Sequence, residues 1–392
     1  MQLSSQVLLV LFSFMLSFII SGLLAQFPRF LPDVPNERSA HKSVVSRGGG
    51  IAIIVPFLTC IALIIAFSPL QLDAPVVTLI IGTTIIWIVG LVDDAISQPA
   101  LPRLGIQLVL ALLVVSAGLP ALFSAGDVVI LQGWPARVVQ IFWILLCINF
   151  FNFMDGLDGL AGFQALILTA AAGILLLMDY ETLLAVPPVT DLHPAIFFKM
   201  MSTVLFSLSA AILGFLVWNL APARVFMGDN GSYLLGFVTG YISLLFPFAD
   251  VFADSPSKFM FNWSAQPPAA TGWITFLILF FPILLDAGLT LAKRLLGGHN
   301  IFQAHRNHFF QLLHRSGRSP MEVLFLLACI NGVLLLPLWT SVIKVESRIT
   351  LGLLVFFLVL ASSLYFILGR AMERALRSKV LPFVPRKTRS LH

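Results

Sequence analysis

Charge is what this chain has least of. Only 10% of its 392 residues are Asp, Glu, Lys or Arg, and 59% are hydrophobic, whereas roughly 25% of an ordinary soluble domain is charged. No hydrophilic stretch is long enough to make a soluble domain, so any chemistry must be built from the ends of apolar spans and the loops between them. Cysteine is scarce as well. Cys60, Cys147 and Cys329 each fall in an apolar run without paired spacing, which excludes a disulfide framework and points to core positions. The first apolar run has no charged residue before it and no small-residue cleavage site after it, so it reads as a retained first span rather than a cleaved signal.

What the chain has in quantity is apolar runs of membrane length. They cover residues 6–25, 51–67, 76–92, 104–119, 138–154, 160–178, 203–221, 232–248, 272–296, 322–343 and 350–369, each near the ~17–25 residues that a bilayer crossing requires. The expectation is an all-α polytopic membrane protein of about 11 transmembrane helices, forming one integral membrane domain over 1–392 with a basic tail at 370–392. Alternating the connections places 18 Lys and Arg on one side and 5 on the other. The positive-inside rule then puts the N-terminus outside and the C-terminus in the cytoplasm. The net charge of +5 is accounted for by this asymmetry and by contact with anionic lipid, not by nucleic acid.

Polar residues inside the apolar runs are the informative exceptions, because such groups are costly at membrane depth and mark sites by default. Asn149, Asn152, Asp155 and Asp158 stand three apart at the end of the fifth run. Each step of three turns about 60° around a helix, so the four converge only if the helix breaks, and Gly156 and Gly159 are where it can. The third run ends in Asp93-Asp94, with no basic residue after them until Arg103. Adjacent carboxylates repel, which favours a tightly held proton or a cation between them. Met227-Gly-Asp229-Asn230-Gly-Ser232 opens the eighth run. Either polar residue there suits a turn or helix cap, and a carboxylate at such a start also suits Mg²⁺ held against a phosphate.

Two further segments lie on the same side. One runs from Asp33 through Arg38, His41, Lys42 and Arg47 into Gly48-Gly49-Gly50; the glycines imply close backbone approach, and they do not form a P-loop. The other follows Asp286, which reads equally as a buried partner of a neighbouring helix or as a site residue. It contains His299, His305, Arg306, His308 and His314, four of the seven histidines. No Cys or acidic residue stands near to complete a zinc set, and Arg among His suits a diphosphate. The loops at 179–203 and 249–271 on the opposite side read as connectors.

The motifs, taken in order, resemble the polyprenyl-phosphate N-acetylhexosamine-1-phosphate transferase family: Asp93-Asp94, the Asn-x-x-Asn-x-x-Asp-Gly-x-Asp-Gly run, Met-Gly-Asp-Asn-Gly-Ser, His-Arg-x-His, and the early Arg-Gly-Gly-Gly loop. The resemblance spans about residues 30 to 320. The His-Arg-Asn-His form looks closer to the branch that initiates O-antigen or related glycans than to the phospho-N-acetylmuramoyl-pentapeptide transferase of peptidoglycan synthesis.

The resemblance implies transfer of a sugar-1-phosphate from a UDP-N-acetylhexosamine to undecaprenyl phosphate with release of UMP, at the cytoplasmic face of a bacterial inner membrane. It implies Mg²⁺, with Mn²⁺ as a substitute, held by Asp229 with Asn152 and Asp155 close by. Asp93 and Asp94 would stand where the lipid phosphate arrives, and with Asp155 and Asp158 they make up the catalytic carboxylates. His305, Arg306 and His308 would hold the diphosphate or uridine, and Asn149, Lys42 and Arg47 would line the substrate site. Membrane lipid and a second copy in a homodimer are the further partners, with no nucleic acid. The alternative from another class is an ion-coupled secondary transporter, which the clustering of carboxylates at one face rather than the midplane argues against.

Overall fold

Ten of the eleven apolar runs fold as helices in the computed structural model. It describes residues 3–35, 43–68, 74–117, 122–125, 128–184, 194–245, 272–298, 307–342, 359, 362 and 363. In chain order the helices are α1 (Leu3–Gln26), α2 (Gly49–Phe67), α3 (Ala74–Ile96), α4 (Ala100–Ser116), α5 (Trp134–Met154), α6 (Leu160–Leu184), α7 (Pro194–Asn219), α8 (Gly228–Leu245), α9 (Gly272–Leu296), the short α10 (Phe309–Arg315) and α11 (Pro320–Val342). Among the described residues, six helices are long and apolar enough to cross a membrane by length and composition: α1, α2, α3, α5, α6 and α7. The expected eleventh run and the tail at 370–392 lie outside the described residues, apart from helical positions at 359, 362 and 363.

The all-α expectation needs one correction. Two antiparallel β pairs are present: β1 (Pro32–Asp33) with β2 (Val45–Ser46), and β3 (Leu122–Ala125) with β4 (Val128–Gln132). Their strands are too short to leave an alternating pattern that can be told from a loop.

Without water to drive apolar surfaces together, helices in lipid associate through small residues and interhelical hydrogen bonds. On α1, Ser13, Ser17, Ser21 and Gly22 are buried, and Ser17 Oγ donates to the Ala211 carbonyl of α7 at 2.6 Å. Amide pairs tie other helices. Asn149 on α5 donates to Gln107 Oε1 on α4 at 2.8 Å, and Asn331 on α11 donates to Gln164 Oε1 on α6 at 2.9 Å. Cys60 and Cys147 are buried as expected, whereas Cys329 sits on an exposed face of α11 and is not a core residue.

Helix α8 packs against α2, α3 and α5, and its first turn lies closely against Gly50 of α2 and Gly90 of α3. A Cβ on Gly50 of α2 would stand 2.0 Å from Asn230 Oδ1 and 2.5 Å from the Gly231 nitrogen; one on Gly90 of α3 would stand 2.4 Å from the Asp229 carbonyl oxygen. The glycines after Arg47 therefore serve close approach of α2 to α8. The segment leading into α8 is strapped down in turn. Phe226 N–H donates to the Ser46 carbonyl at 2.8 Å, and the N–H groups of Gly49 and Gly50 donate to the carbonyls of Phe226 and Met227 at 3.0 and 3.1 Å.

Candidate active site

The helix break anticipated at Gly156 and Gly159 is present. α5 ends at Met154 and α6 starts at Leu160, with Gly159 at φ +79°, a conformation that side chains rarely adopt. Asn219, at the last position of α7, ties this turn to the segment that leads into α8. Its Oδ1 accepts Gly159 N–H at 3.0 Å and its Nδ2 donates to the Val225 carbonyl at 2.9 Å. Asp158 Oδ2 accepts Ala223 N–H at 3.0 Å, so this carboxylate holds the approach to α8 against the turn.

Asp155 and Asn152 lie where the broken end of α5 meets the start of α8. Asn152 Nδ2 donates to Asp229 Oδ1 at 2.5 Å and to Ser232 Oγ at 3.1 Å. Asp155 keeps part of its surface open. Removal from water, and then the negative charges of Asp229, Asp94 and Asp158, push its carboxyl well above the usual carboxylate range, with Arg47 pulling the other way. The four carboxylates thus share one field although they come from three separate parts of the chain.

Asp93 and Asp94 diverge, as neighbours about 100° apart on a helix must. Asp94 faces the first turn of α8: its Oδ1 accepts Asp229 N–H at 3.0 Å, and its Oδ2 accepts Asn230 N–H at 2.9 Å and Asn230 Nδ2 at 2.5 Å. It supplies from another helix the acceptor that an N-cap residue would supply locally. Asp93 is bonded by Arg103 Nη1, by Tyr233 Oη at 3.1 Å and by Gln98 N–H at 2.6 Å. Its carboxyl also contacts that of Asp229. The carboxyl pair in contact is therefore Asp93 with Asp229, not Asp93 with its sequence neighbour.

The basic residues are distributed unevenly. Arg47 is partly exposed and pairs with Asp33 at 2.6 Å, within electrostatic reach of Asp94, Asp155 and Asp229. Arg103 joins Asp93 and donates to Tyr233 Oη at 2.7 Å. His308 is buried, with its ring 5.9 Å from that of Phe153 between centroids. Lys42, His305 and Arg306 lie outside the described residues. Asn149 is turned away from this cluster, its amide donating to Gln107 and to the Leu145 carbonyl at 2.8 Å. Arg103, Asn219 and Tyr233 are site-building residues that no motif singled out. A lone Arg ten positions beyond Asp93 was the only available signal.

Among the described residues, no three carboxylate, imidazole or thiol groups stand together as a ready metal site. The donor set nevertheless suits Mg²⁺. Its members are hard oxygen ligands, two of the carboxyls are in contact, and the ionised form of Asp155 is disfavoured until a cation approaches. Mg²⁺ commonly takes only one or two protein carboxylates, with phosphate oxygens and water completing its shell.

Comparison with known proteins places the cluster in context. The model of glycosyl transferase family 4 matches residues 76–246, which include Asp93, Asp94, Asn152, Asp155 and Asp229. The chain is 25% identical over 335 residues to a probable undecaprenyl-phosphate N-acetylglucosaminyl 1-phosphate transferase of Bacillus subtilis, covering 84% of this chain and 83% of that protein. It is 26% identical over 373 residues, 92% of this chain and 88% of the relative, to the undecaprenyl-phosphate alpha-N-acetylglucosaminyl 1-phosphate transferase of Salmonella typhi. A decaprenyl-phosphate N-acetylglucosaminephosphotransferase of Mycobacterium leprae is 25% identical over 332 residues, 81% of this chain and 76% of its own length.

Proposed function

We propose, from the match of residues 76–246 to the glycosyl transferase family 4 model and the similarity of most of the chain to the relatives above, that this chain transfers an N-acetylhexosamine-1-phosphate from a UDP-sugar to undecaprenyl phosphate and releases UMP. The proposal extends to a cytoplasmic-facing site in a bacterial inner membrane and to the first step of O-antigen or another envelope glycan. The observation that carries it is the convergence of Asp155, Asn152 and Asp229, drawn from either side of α6 and α7, at a point where Asp94 and Arg47 add their charges. The names of the relatives support the acceptor and the type of sugar.

The lipid phosphate is already ionised near neutral pH and requires no base. One of its oxygens attacks the β-phosphorus of the UDP-sugar, forming a new P–O bond. The bond from that phosphorus to the bridging oxygen breaks, and UMP leaves with the electron pair. Direct attack is preferred to a covalent aspartyl-phosphate because the acceptor oxygen is already ionised and Asp93, Asp94 and Asp158 are each held by donors elsewhere in the fold.

Asp229 and Asp155, with Asn152 beside them, would hold Mg²⁺. What that ion supplies when bound is neutralisation of the diphosphate, so that one anion can approach another. Asn152 orients the Asp229 carboxylate, and Asp94 fixes the backbone that carries it. Arg47, with Lys42, His305, Arg306 and His308, would grip the diphosphate and the uridine, since guanidinium forks match phosphate oxygens.

The test is release of UMP by the chain in lipid nanodiscs with undecaprenyl phosphate, Mg²⁺ and a panel of UDP-sugars. UMP formed with an N-acetylhexosamine donor and dependent on the lipid is the expected result. No UMP with any sugar overturns the proposal.

A further inference from the structure

Outside the carboxylate cluster, one buried acid has no part in the chemistry above. Asp286, in the middle of α9, is fully buried. An isolated carboxylate cannot be kept there without partners, and its partners lie at the far end of the following loop. Its Oδ1 accepts the backbone N–H of Phe309 at 2.8 Å and stands 3.6 Å from His308 Nδ1. Thr290 Oγ1, one turn along α9, donates to the same oxygen at 3.4 Å.

The segment gripped in this way touches the candidate site. The His308 ring lies against Phe153, between Asn152 and Asp155 in sequence. At the other end of the first turn of α10, the Gln311 side chain closes on Gly156: a Cβ there would be 2.4 Å from Gln311 Nε2. Residues 308–311 are therefore wedged between α9 and the break between α5 and α6.

We infer that Asp286 is a positioning residue for the transfer site, fixing both the backbone at residues 308–309 and the His308 ring so that the ring is held against Phe153 at the broken end of α5. A carboxylate on the Nδ1 side selects the tautomer that carries its proton there and leaves Nε2 to meet a ligand. The inference rests on the transfer reading proposed above for its kinetic consequence, though not for the contact itself. A simple anchor would require only an acceptor for the Phe309 N–H, which Asn can provide. A positioning carboxylate also requires the charge that faces the imidazole.

The experiment is a double-mutant cycle on the full chain in nanodiscs, with Asp286→Asn, His308→Ala and the double variant assayed by UMP release. Asp286→Asn is expected to lower kcat by about 10²-fold, the size of effect that an ångström of misplacement produces, and to add no further loss in the His308→Ala background. Full turnover of Asp286→Asn, or losses that multiply in the double variant, would overturn the inference. A second measurement needs neither turnover nor a stable variant. Nitrogen NMR of labelled histidine in the wild-type chain, assigned with His308→Gln, is expected to show the Nδ1-protonated ring. An Nε2-protonated ring overturns the contact, and wild-type silence in the UMP assay alone counts against the transfer reading instead.

Discussion

Asp94 and Asp229 are 135 residues apart in sequence, yet Asp94 Oδ1 accepts the Asp229 backbone N–H at 3.0 Å. The acid at the end of α3 thus caps the helix that carries the central carboxylate of the site, and orients it through the main chain rather than through its side chain.

Replacing Asp94 by Ala is expected to cost about 1–2 kcal/mol, as loss of an N-cap does, and to lower the thermal midpoint in detergent together with UMP release. Asp94→Asn keeps one acceptor oxygen and should recover most of the stability. Equal stability losses for Ala and Asn would count against capping as the role of Asp94.

Gly50 and Gly48 should respond oppositely to the same substitution. In Gly50→Ala the new methyl meets Asn230 and the Gly231 backbone, with its nearest contact at 2.0 Å, so the start of α8 must move. About 1–3 kcal/mol of stability, the usual cost of overpacking, and most of the turnover should be lost. In Gly48→Ala the nearest atoms are the flexible Leu24 side chain at 3.0 and 3.3 Å, and the backbone at φ −80° accepts Ala. Its thermal midpoint and rate should stay close to wild type.

The raised Asp155 carboxyl fixes the sign of one pH effect. A group whose pKa is higher folded than unfolded adds stability below its unfolded value, near ~3.9, and loses it as pH rises through the folded value. Without metal, the wild-type thermal midpoint should fall relative to that of Asp155→Asn as pH is raised from about 4. Added Mg²⁺ should restore the wild type at the upper end, and the variant much less. Parallel wild-type and variant curves in EDTA would remove burial and carboxylate repulsion as the cause.

Asn149 and Asn152 stand one turn apart but serve different ends. Asn149→Ala breaks the bond to Gln107, and interhelical bonds of this kind contribute about 0.6–2 kcal/mol, so its loss should appear chiefly in the thermal midpoint. Asn152→Ala frees Asp229 Oδ1 and should appear chiefly in kcat. The reverse pattern would return Asn149 to the substrate site.

The helices were legible in the sequence because membrane length and hydropathy are coarse properties, and the broken end of α5 because four polar residues three apart cannot share a face. The separate duties of Asp93 and Asp94 were not, since adjacent letters give no hint that the two side chains leave the helix in different directions. Arg103 and Asn219 escaped notice for a related reason, and Asp286, which reads equally as a buried partner or a site residue, could not be given its partner. Each matters through a partner between 10 and 130 residues away, and one sequence records residue types but not pairings. The triple glycine suggested close approach without naming α8 as the neighbour, because much of the partner surface is backbone, which has no sequence signature.

The strapping of α8 also bears on biosynthesis. A nascent chain that has emerged only as far as Asn219 already contains Asp94 and Asn152, but the groups they bond at the site, the backbone N–H groups and side chains at 229 and 230, have not yet been made. Insertion of one further helix completes the cluster in a single event, so a ribosome arrested before residue 228 should leave behind a membrane-inserted but catalytically blank intermediate.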